Sequence, residues 1–204
     1  MRVKICGITS ARDALAAQAA GADAIGLVFA GWKRRVDLAQ AASLARATSP
    51  FLTRVGVFQG HSLGFIQRAI TWARLGAVQL HGIVPPELIT ALQPWVPVIQ
   101  AFAVDQQFDP AGVLRSPADA ILLDAPQSGS GQAFSWERAA PLAGHPRLVV
   151  AGGLTVDNVQ DVVRHLRPLA VDVSSGVESA PGVKDHQLVA EFIRRAKEAA
   201  CSPI

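Results

Sequence analysis

The 204-residue chain is 50% hydrophobic and 17% charged, a composition that suits one or at most two compact domains with a sizeable core. The formal net charge is only +3 and the basic residues are scattered, which argues against a nucleic-acid-binding or polybasic membrane surface and favours a small anionic ligand. The two cysteines, Cys6 and Cys201, have no metal-type spacing, and there is neither an apolar leader nor a run of about 18 apolar residues, so we expect a cytoplasmic protein.

Short apolar runs bounded by turn residues recur along the whole chain and predict eight β-strands. Most of these runs are apolar throughout, which is typical of parallel strands that are covered on both faces. In chain order the predicted strands are 3–6, 24–29, 54–58, 77–81, 96–102, 120–124, 147–153 and 169–175.

Alanine-rich helical patterns lie between most of the strands, so strand and helix alternate. Gly21 is expected to end the first helix, and Asp37 and Asp157 to cap the second and the seventh. The crossover 103–118 contains two prolines and is expected to be short or irregular. The remaining predicted helices are 11–20, 37–47, 63–74, 85–92, 157–166 and 186–199.

Eight such units without any linker predict an α/β fold, a single-domain (β/α)8 barrel over residues 1–204. An open doubly wound sheet would more often use about five or six strands.

The working face of such a barrel is at the carboxyl ends of its strands, so the last residue of each run is a candidate site residue. We expect a mouth lined by aromatic rings together with a thiol, an imidazole and a carboxylate. These strand-end residues are Cys6, Phe29, Phe58, His81, Phe102, Asp124, Gly152, Gly153, Ser174 and Ser175.

Each reactive side chain also has a plainer interpretation. Asp124 ends an apolar strand, where a carboxylate without partners is costly, so it either reacts in the mouth or caps a loop. Cys6, taken alone, suits core packing as well as chemistry. His81, taken alone, is compatible with a structural or merely site-lining role.

Two glycine-containing loops follow the last two strands. "AGGLTVDN" contains Gly152 and Gly153, and "VDVSSGVE" contains Ser174, Ser175 and Gly176. Tight turns alone would explain either loop, but together their backbone N–H groups predict one phosphate site, at the place where barrels of this kind bind phosphate.

Two further loops lie on the same face. "GWKRRVD" (31–37) either carries surface charge or holds a carboxylate in bidentate fashion. "SGSGQAFSW" (128–136) is either a solvated linker or a segment that closes over a ligand.

Motifs distributed over the chain resemble the phosphoribosylanthranilate isomerase family of tryptophan biosynthesis. They occur in order from residue 2 to about residue 193, and "KICG" with "DVSSGVE" is the most specific combination. The motifs are "KICGIT", "VGVF", "VQLHG", "LLD", "GSG" with "FSW", "AGGL", and "VDVSSGVE" with "PGVKD".

The resemblance implies an Amadori-type aldose–ketose isomerisation. N-(5'-phosphoribosyl)anthranilate would be converted to 1-(2-carboxyphenylamino)-1-deoxyribulose 5-phosphate by general acid–base catalysis, with no metal or organic cofactor. The implied partner is this small phosphorylated substrate, not nucleic acid or membrane, and the implied state is a monomer or homodimer.

The resemblance also implies roles for individual residues. Asp124 would be the general acid and Cys6 the general base, its thiolate favoured by positive charge such as that of Lys4. Arg34 would hold the anthranilate carboxylate, with Arg35 as the rival because this loop is one residue shorter than usual.

His81 and Asp172 match positions near the family's site and would support substrate binding. The segment 128–135 departs from the family, which more often has a second glycine, a lysine, a threonine and an aspartate there.

Two other functions compete with this one. A histidine-pathway isomerase would use two carboxylates and two phosphate sites, whereas the first strand here ends in Cys6 and "GVFQGHS" is a weak second phosphate loop. A non-enzymatic phosphate sensor would not need Cys6 and Asp124 to face each other across the mouth.

Overall fold

The structure is a computed structural model that describes residues 1–31, 33–126 and 136–201. Eight parallel strands close into a barrel in chain order, and the eighth pairs with the first through Arg2 and Ala170. The predicted (β/α)8 barrel is therefore confirmed. The strands are β1 Arg2–Cys6, β2 Ala24–Val28, β3 Thr53–Gln59, β4 Ala77–His81, β5 Val98–Ala103, β6 Ala120–Asp124, β7 Leu148–Val150 and β8 Ala170–Val173.

Helices connect the strands on the outside of the barrel, as the alternating pattern predicts. The fifth crossover is short: its helix has 5 residues, starts with Pro110, and is capped by Asp109, which accepts from Ala111 N at 3.0 Å. A 3₁₀ helix, Trp136–Leu142, follows β6. The α-helices are α1 Ala11–Ala19, α2 Leu38–Ala47, α3 Leu63–Trp72, α4 Pro86–Leu92, α5 Pro110–Leu114, α6 Val159–Leu166 and α7 His186–Cys201.

Helix boundaries follow the predicted signals at two of three places. Asp37 accepts from Gln40 N at 2.7 Å and caps α2, and Gly21 takes a φ of +88° just after α1. Asp157 does not cap α6, so that prediction is wrong. The side chain of Asn158 accepts from Thr155 N at 2.8 Å instead, which folds the preceding turn and starts the helix at Val159.

One element was not predicted. A small antiparallel hairpin, β9 Glu178–Ala180 and β10 Val183–Lys184, follows a 3₁₀ turn at Ser175–Val177. Strands of three and two residues contain no apolar run from which they could be predicted. The hairpin places Glu178 opposite Lys184 at the carboxyl end of the barrel.

The hydrophobic core lies mainly between the strands and the helices. Ile5, Leu27 and Ile66 are fully buried there, each stabilising the fold by about 1.5–3 kcal/mol. A smaller second cluster consists of Ala101, Leu122, Val149 and Ala151. Because the outer layer supplies most of the apolar burial, the interior can hold polar side chains near its mouth. No helix in the described ranges is both long and apolar enough to cross a membrane.

Candidate active site

The carboxyl ends of the strands surround a cavity of about 490 Å³, a volume suited to a small-molecule ligand. It brings together residues that are far apart in the sequence, because the strands of the barrel all end at the same face. Gly176 is not among its lining residues. The predicted residues that line it are Cys6, Arg34, His81, Asp124, Gly152, Gly153, Asp172, Ser174 and Ser175.

Cys6 ends β1 and faces the cavity instead of filling the hydrophobic core. The neighbouring strand makes room for it: a Cβ on Gly26 would lie 2.6 Å from the thiol sulfur. Burial raises the pKa of the Cys6 thiol, and the positive charge of Lys4 opposes this shift. Burial thus favours the protonated thiol, which becomes more acidic as positive charge approaches it.

Lys4 and Asp172 form a buried ion pair below Cys6. Lys4 Nζ donates to Asp172 Oδ2 at 2.8 Å, and both side chains are 6% exposed. Burial disfavours the ammonium, but Asp172 and Cys6 outweigh it and raise the pKa of Lys4. Lys4 is on the same strand as Cys6, two residues earlier, so both side chains face the barrel interior.

Two buried oxygen atoms in the same region have no hydrogen-bond partner within the described part of the chain. They are Asp172 Oδ1 and Gln79 Oε1, and both residues line the cavity. Buried oxygens of this kind are normally satisfied by water or ligand hydroxyls. The floor of the cavity is therefore built to accept hydrogen bonds.

His81 ends β4, where Gln79 Nε2 lies 2.7 Å from its Nε2. An amide nitrogen only donates, so this ring nitrogen is the acceptor and the proton is on Nδ1. Burial lowers the pKa of His81 and outweighs the opposing charge of Asp124. The imidazole is a neutral, oriented group facing the cavity.

Asp124 ends β6 at the cavity wall, and the residue as a whole is 9% exposed. Its Oδ1 accepts from Ala125 N at 2.8 Å. The carboxylate therefore caps its own loop and also lines the cavity, and its catalytic role stays a prediction.

The loops after β7 and β8 line the cavity side by side. Gly152 and Gly153 have φ values of +75° and +66°, which favour glycine, and a Cβ on Gly152 would overlap Ala125 N. A Cβ on Gly176 would overlap Leu154 O, so this glycine allows the two loops to approach each other. Asn158 Nδ2 donates to Gly153 O at 2.9 Å and fixes the first loop.

Arg34 and its neighbour Arg35 are clearly distinguished. Arg34 lines the cavity with its side chain 15% exposed, whereas Arg35 is exposed and bridges β2 at Val28 through its backbone. The Arg34 guanidinium donates to Glu178 from Nε at 2.8 Å and from Nη2 at 2.6 Å. The structure thus favours Arg34 as the cation of this loop.

The chain matches the family model of N-(5'-phosphoribosyl)anthranilate (PRA) isomerase over residues 3–195. It belongs to this family. The family and the isomerase activity predicted from the sequence motifs are confirmed.

Named relatives match almost their whole length. The N-(5'-phosphoribosyl)anthranilate isomerase of Geobacter sulfurreducens is 46% identical over 202 residues, covering 97% of this chain and 98% of the relative. The crystal structure of the Thermus thermophilus phosphoribosylanthranilate isomerase has a TM-score of 0.90 at 42% identity, covering 97% and 99%. A phosphoribosylanthranilate isomerase solved with reduced 1-(o-carboxyphenylamino)-1-deoxyribulose 5-phosphate has a TM-score of 0.87 at 40% identity, covering 97% and 99%.

The prediction of a mouth lined by three phenylalanines is wrong. Of the three, only Phe58 lines the cavity. Phe29 and Phe58 belong to the main hydrophobic core, where their ring centroids stack at 4.9 Å, edge-on to Phe65 of α3, and Phe58 also borders the cavity. Phe102 is half-buried and packs against the outer core. The cavity of this isomerase is consequently more polar than the strand ends suggested.

Two residues of the site were missed from the sequence. Glu178 and Lys184 are buried beside Arg34, and their side chains lie 2.7 Å apart. Glu178 belongs to the family motif "VDVSSGVE" and Lys184 to "PGVKD", and these motifs are the sequence signal by which both residues could have been found.

The predicted loop contribution of 128–135 lies outside the described residues. In the described ranges no group of three or more His, Cys, Asp or Glu residues is suited to hold a metal ion.

Proposed function

We propose that the chain converts N-(5'-phosphoribosyl)anthranilate to 1-(2-carboxyphenylamino)-1-deoxyribulose 5-phosphate in tryptophan biosynthesis, with Asp124 as general acid and Cys6 as general base. The single observation that carries these roles is that one acid and one thiol, from strands on opposite parts of the barrel, line the same cavity. The solved relative bound to the reduced product is consistent with a ligand of this class.

The reaction needs only proton transfers. Asp124 donates a proton to the furanose ring oxygen, the bond from that oxygen to C1 breaks, and a protonated Schiff base forms at C1. Cys6 thiolate then removes the proton from C2, which gives an enolamine. Loss of the C2 hydroxyl proton and protonation at C1 yield the aminoketose, so that the net proton balance is zero.

Positive charge makes Cys6 competent as a base. Burial favours the protonated thiol of Cys6, and the positive charge of Lys4 opposes this effect. The iminium formed by ring opening adds a second positive charge next to the sulfur, which lowers the pKa of Cys6 at the step that requires it. Asp172 holds Lys4 in place for this role.

The substrate is anchored at both ends in this proposal. Its phosphate lies against Gly152–Gly153 and Ser174–Ser175, and its anthranilate carboxylate against Arg34. His81 and the free oxygen of Asp172 contact the ribosyl hydroxyl groups. We further infer that residues 1–204 act as one catalytic domain, as a monomer or homodimer, in the cytoplasm, where the free thiols of Cys6 and Cys201 stay reduced.

The test is a coupled assay. A partner phosphoribosyltransferase makes the substrate from anthranilate and phosphoribosyl pyrophosphate, and loss of anthranilate-type fluorescence reports its isomerisation. We expect turnover by the wild-type chain without added metal. Absence of turnover by folded protein would contradict the proposal.

A further inference from the structure

Glu178 is the centre of a buried hydrogen-bond cluster beside the cavity. Its Oε1 accepts from Arg34 Nε at 2.8 Å, from Lys184 Nζ at 2.7 Å and from Gly182 N at 3.3 Å, and its Oε2 accepts from Arg34 Nη2 at 2.6 Å. The Glu178 side chain is 5% exposed and that of Lys184 is fully buried. So many donors on one buried carboxylate fix its position.

This cluster fixes the plane of the Arg34 guanidinium. Two of its three nitrogen atoms are bound to Glu178, and Nη1 makes no hydrogen bond to any residue that the structure describes. The stem of Arg34 passes over Gly7, where a Cβ would lie 2.5 Å from its Cδ. A planar fork held along one edge presents its remaining edge in a single direction.

The charges of the cluster do not cancel. Two cations, Arg34 and Lys184, share one carboxylate, Glu178, which leaves one surplus positive charge at the cavity wall. Burial opposes ionisation of Glu178, but hydrogen bonds from Arg34 and Lys184 outweigh it and lower the pKa of the carboxyl group. Burial lowers the pKa of Lys184, and its hydrogen bond to Glu178 opposes this shift. With all three groups ionised, the surplus positive charge favours an anion at the cavity wall.

We propose that Glu178 is a positioning residue that orients Arg34 and thereby sets the preference of the site for a substrate carrying a carboxylate. This inference rests on the proposed function, in which Arg34 binds the anthranilate carboxylate. Glu178 itself does not touch the substrate in this proposal. Lys184 holds Glu178 and prevents it from neutralising Arg34 completely.

The measured quantity is the ratio of Kd values for two ligands, by calorimetry. The first is reduced 1-(o-carboxyphenylamino)-1-deoxyribulose 5-phosphate, and the second is the same compound without the carboxyl group. Wild-type protein is expected to prefer the first by about tenfold or more, as for a charge-assisted contact.

Glu178→Asp retains the charge but shortens the side chain by one methylene, so it tests position separately from charge. We expect the ratio to fall by about tenfold, with binding of the second ligand changed by less than about twofold. In an Arg34→Ala background the same change should have no effect on the ratio. Glu191→Asp is the matched control, since Glu191 pairs with two arginines on α7, outside the lining of the cavity.

The outcomes are distinguishable. If the ratio of the two Kd values is unchanged in Glu178→Asp, the inference is overturned. It is also overturned if the ratio rises in Glu178→Gln, because Glu178 then acts by neutralising charge and not by positioning Arg34. If Arg34→Ala leaves the ratio unchanged, the proposed role of Arg34 fails instead. Should Glu178→Asp not fold, Glu178→Gln gives the test, because the amide nitrogen of glutamine cannot accept from Arg34 and one bond that holds the fork is lost. We expect it to lower the ratio by about tenfold, and an unchanged ratio overturns the inference.

Discussion

Lys4 Nζ lies 2.8 Å from Asp172 Oδ2 inside the barrel, directly below the thiol of Cys6. Both side chains are almost completely buried, so removal of either partner would leave the other as an unpaired charge in the interior. This pair supplies the fixed positive charge that the proposed base requires. It also connects the stability of the barrel to the chemistry at its mouth.

Removal of Lys4 should lower both the reactivity of the Cys6 thiol and the stability of the fold. Lys4→Met is expected to slow alkylation of Cys6 by iodoacetamide at neutral pH, because the pKa of the thiol rises further when the opposing charge is lost. It should also cost about 3–5 kcal/mol of unfolding free energy, since Asp172 is left buried without its partner. The measurement uses a Cys201→Ser background, because Cys201 is exposed.

Lys197→Met is the control for that experiment. It removes the same charge from the surface of α7, where Lys197 is 40% exposed. Alkylation of Cys6 at the wild-type rate in Lys4→Met would contradict the electrostatic role of Lys4.

His81 should make stability depend on pH in the mildly acidic range. Its pKa in the folded chain is below its ordinary value of 6.5, because burial disfavours the charged ring. The unfolded chain therefore takes up the proton first, so the stabilisation is present above about pH 6.5 and is lost as the pH falls.

His81 is expected to contribute at most about 1.36 kcal/mol per pH unit to the pH dependence of the unfolding free energy, which is the limit for one proton. His81→Gln should flatten the fall in unfolding free energy between about pH 7 and 5, as measured by urea denaturation. The surface variant His165→Gln should retain the wild-type slope. Identical slopes in wild type and His81→Gln would refute this assignment.

Gly153→Asp tests the phosphate site. The new carboxylate and Cβ would occupy the place proposed for the phosphate, so binding of the reduced product by calorimetry should be abolished while the circular dichroism spectrum is retained. Gly60→Asp is a close match, because Gly60 has a φ of +69° against +66° at Gly153 and open space around its Cβ position. Equal loss of affinity in both variants would place the phosphate elsewhere.

Arg34→Ala should raise KM by about tenfold to 150-fold, because a charge-assisted contact of about 1.5–3 kcal/mol to the ligand is removed. Arg35→Ala should change KM by less than about twofold, since Arg35 is exposed and outside the lining of the cavity. The measurement is steady-state kinetics of both variants. A larger effect in Arg35→Ala would reverse the assignment.

The sequence predicts those features that depend on regular patterns. The bounds of β4 and β6 are correct to the residue, and the polar residues that end them, His81 and Asp124, do line the cavity. That a residue is the last of a strand does not determine which face of the sheet its side chain occupies. For this reason Phe29 was wrongly predicted to line the cavity.

Glu178 and Lys184 were not predicted from the sequence, because only the tertiary structure brings them next to Arg34. Glu178 and Lys184 belong to strands of three and two residues, and their burial depends on Arg34, which is 144 residues away from Glu178 in the chain. Local composition favours exposure of such charged residues. Only the closed barrel, which places the loop after β2 beside the hairpin after β8, reveals them as one cluster.

The central claim is that Cys6 and Asp124 divide the base and acid roles, and the most direct test is turnover of Cys6→Ser and Asp124→Asn beside their affinity for the reduced product. We predict that each variant loses about 10² to 10⁴ of kcat, the scale of a positioned acid or base, while Kd stays within about threefold of wild type. Near-normal kcat in either variant, or loss of kcat only in proportion to loss of binding, would contradict the account.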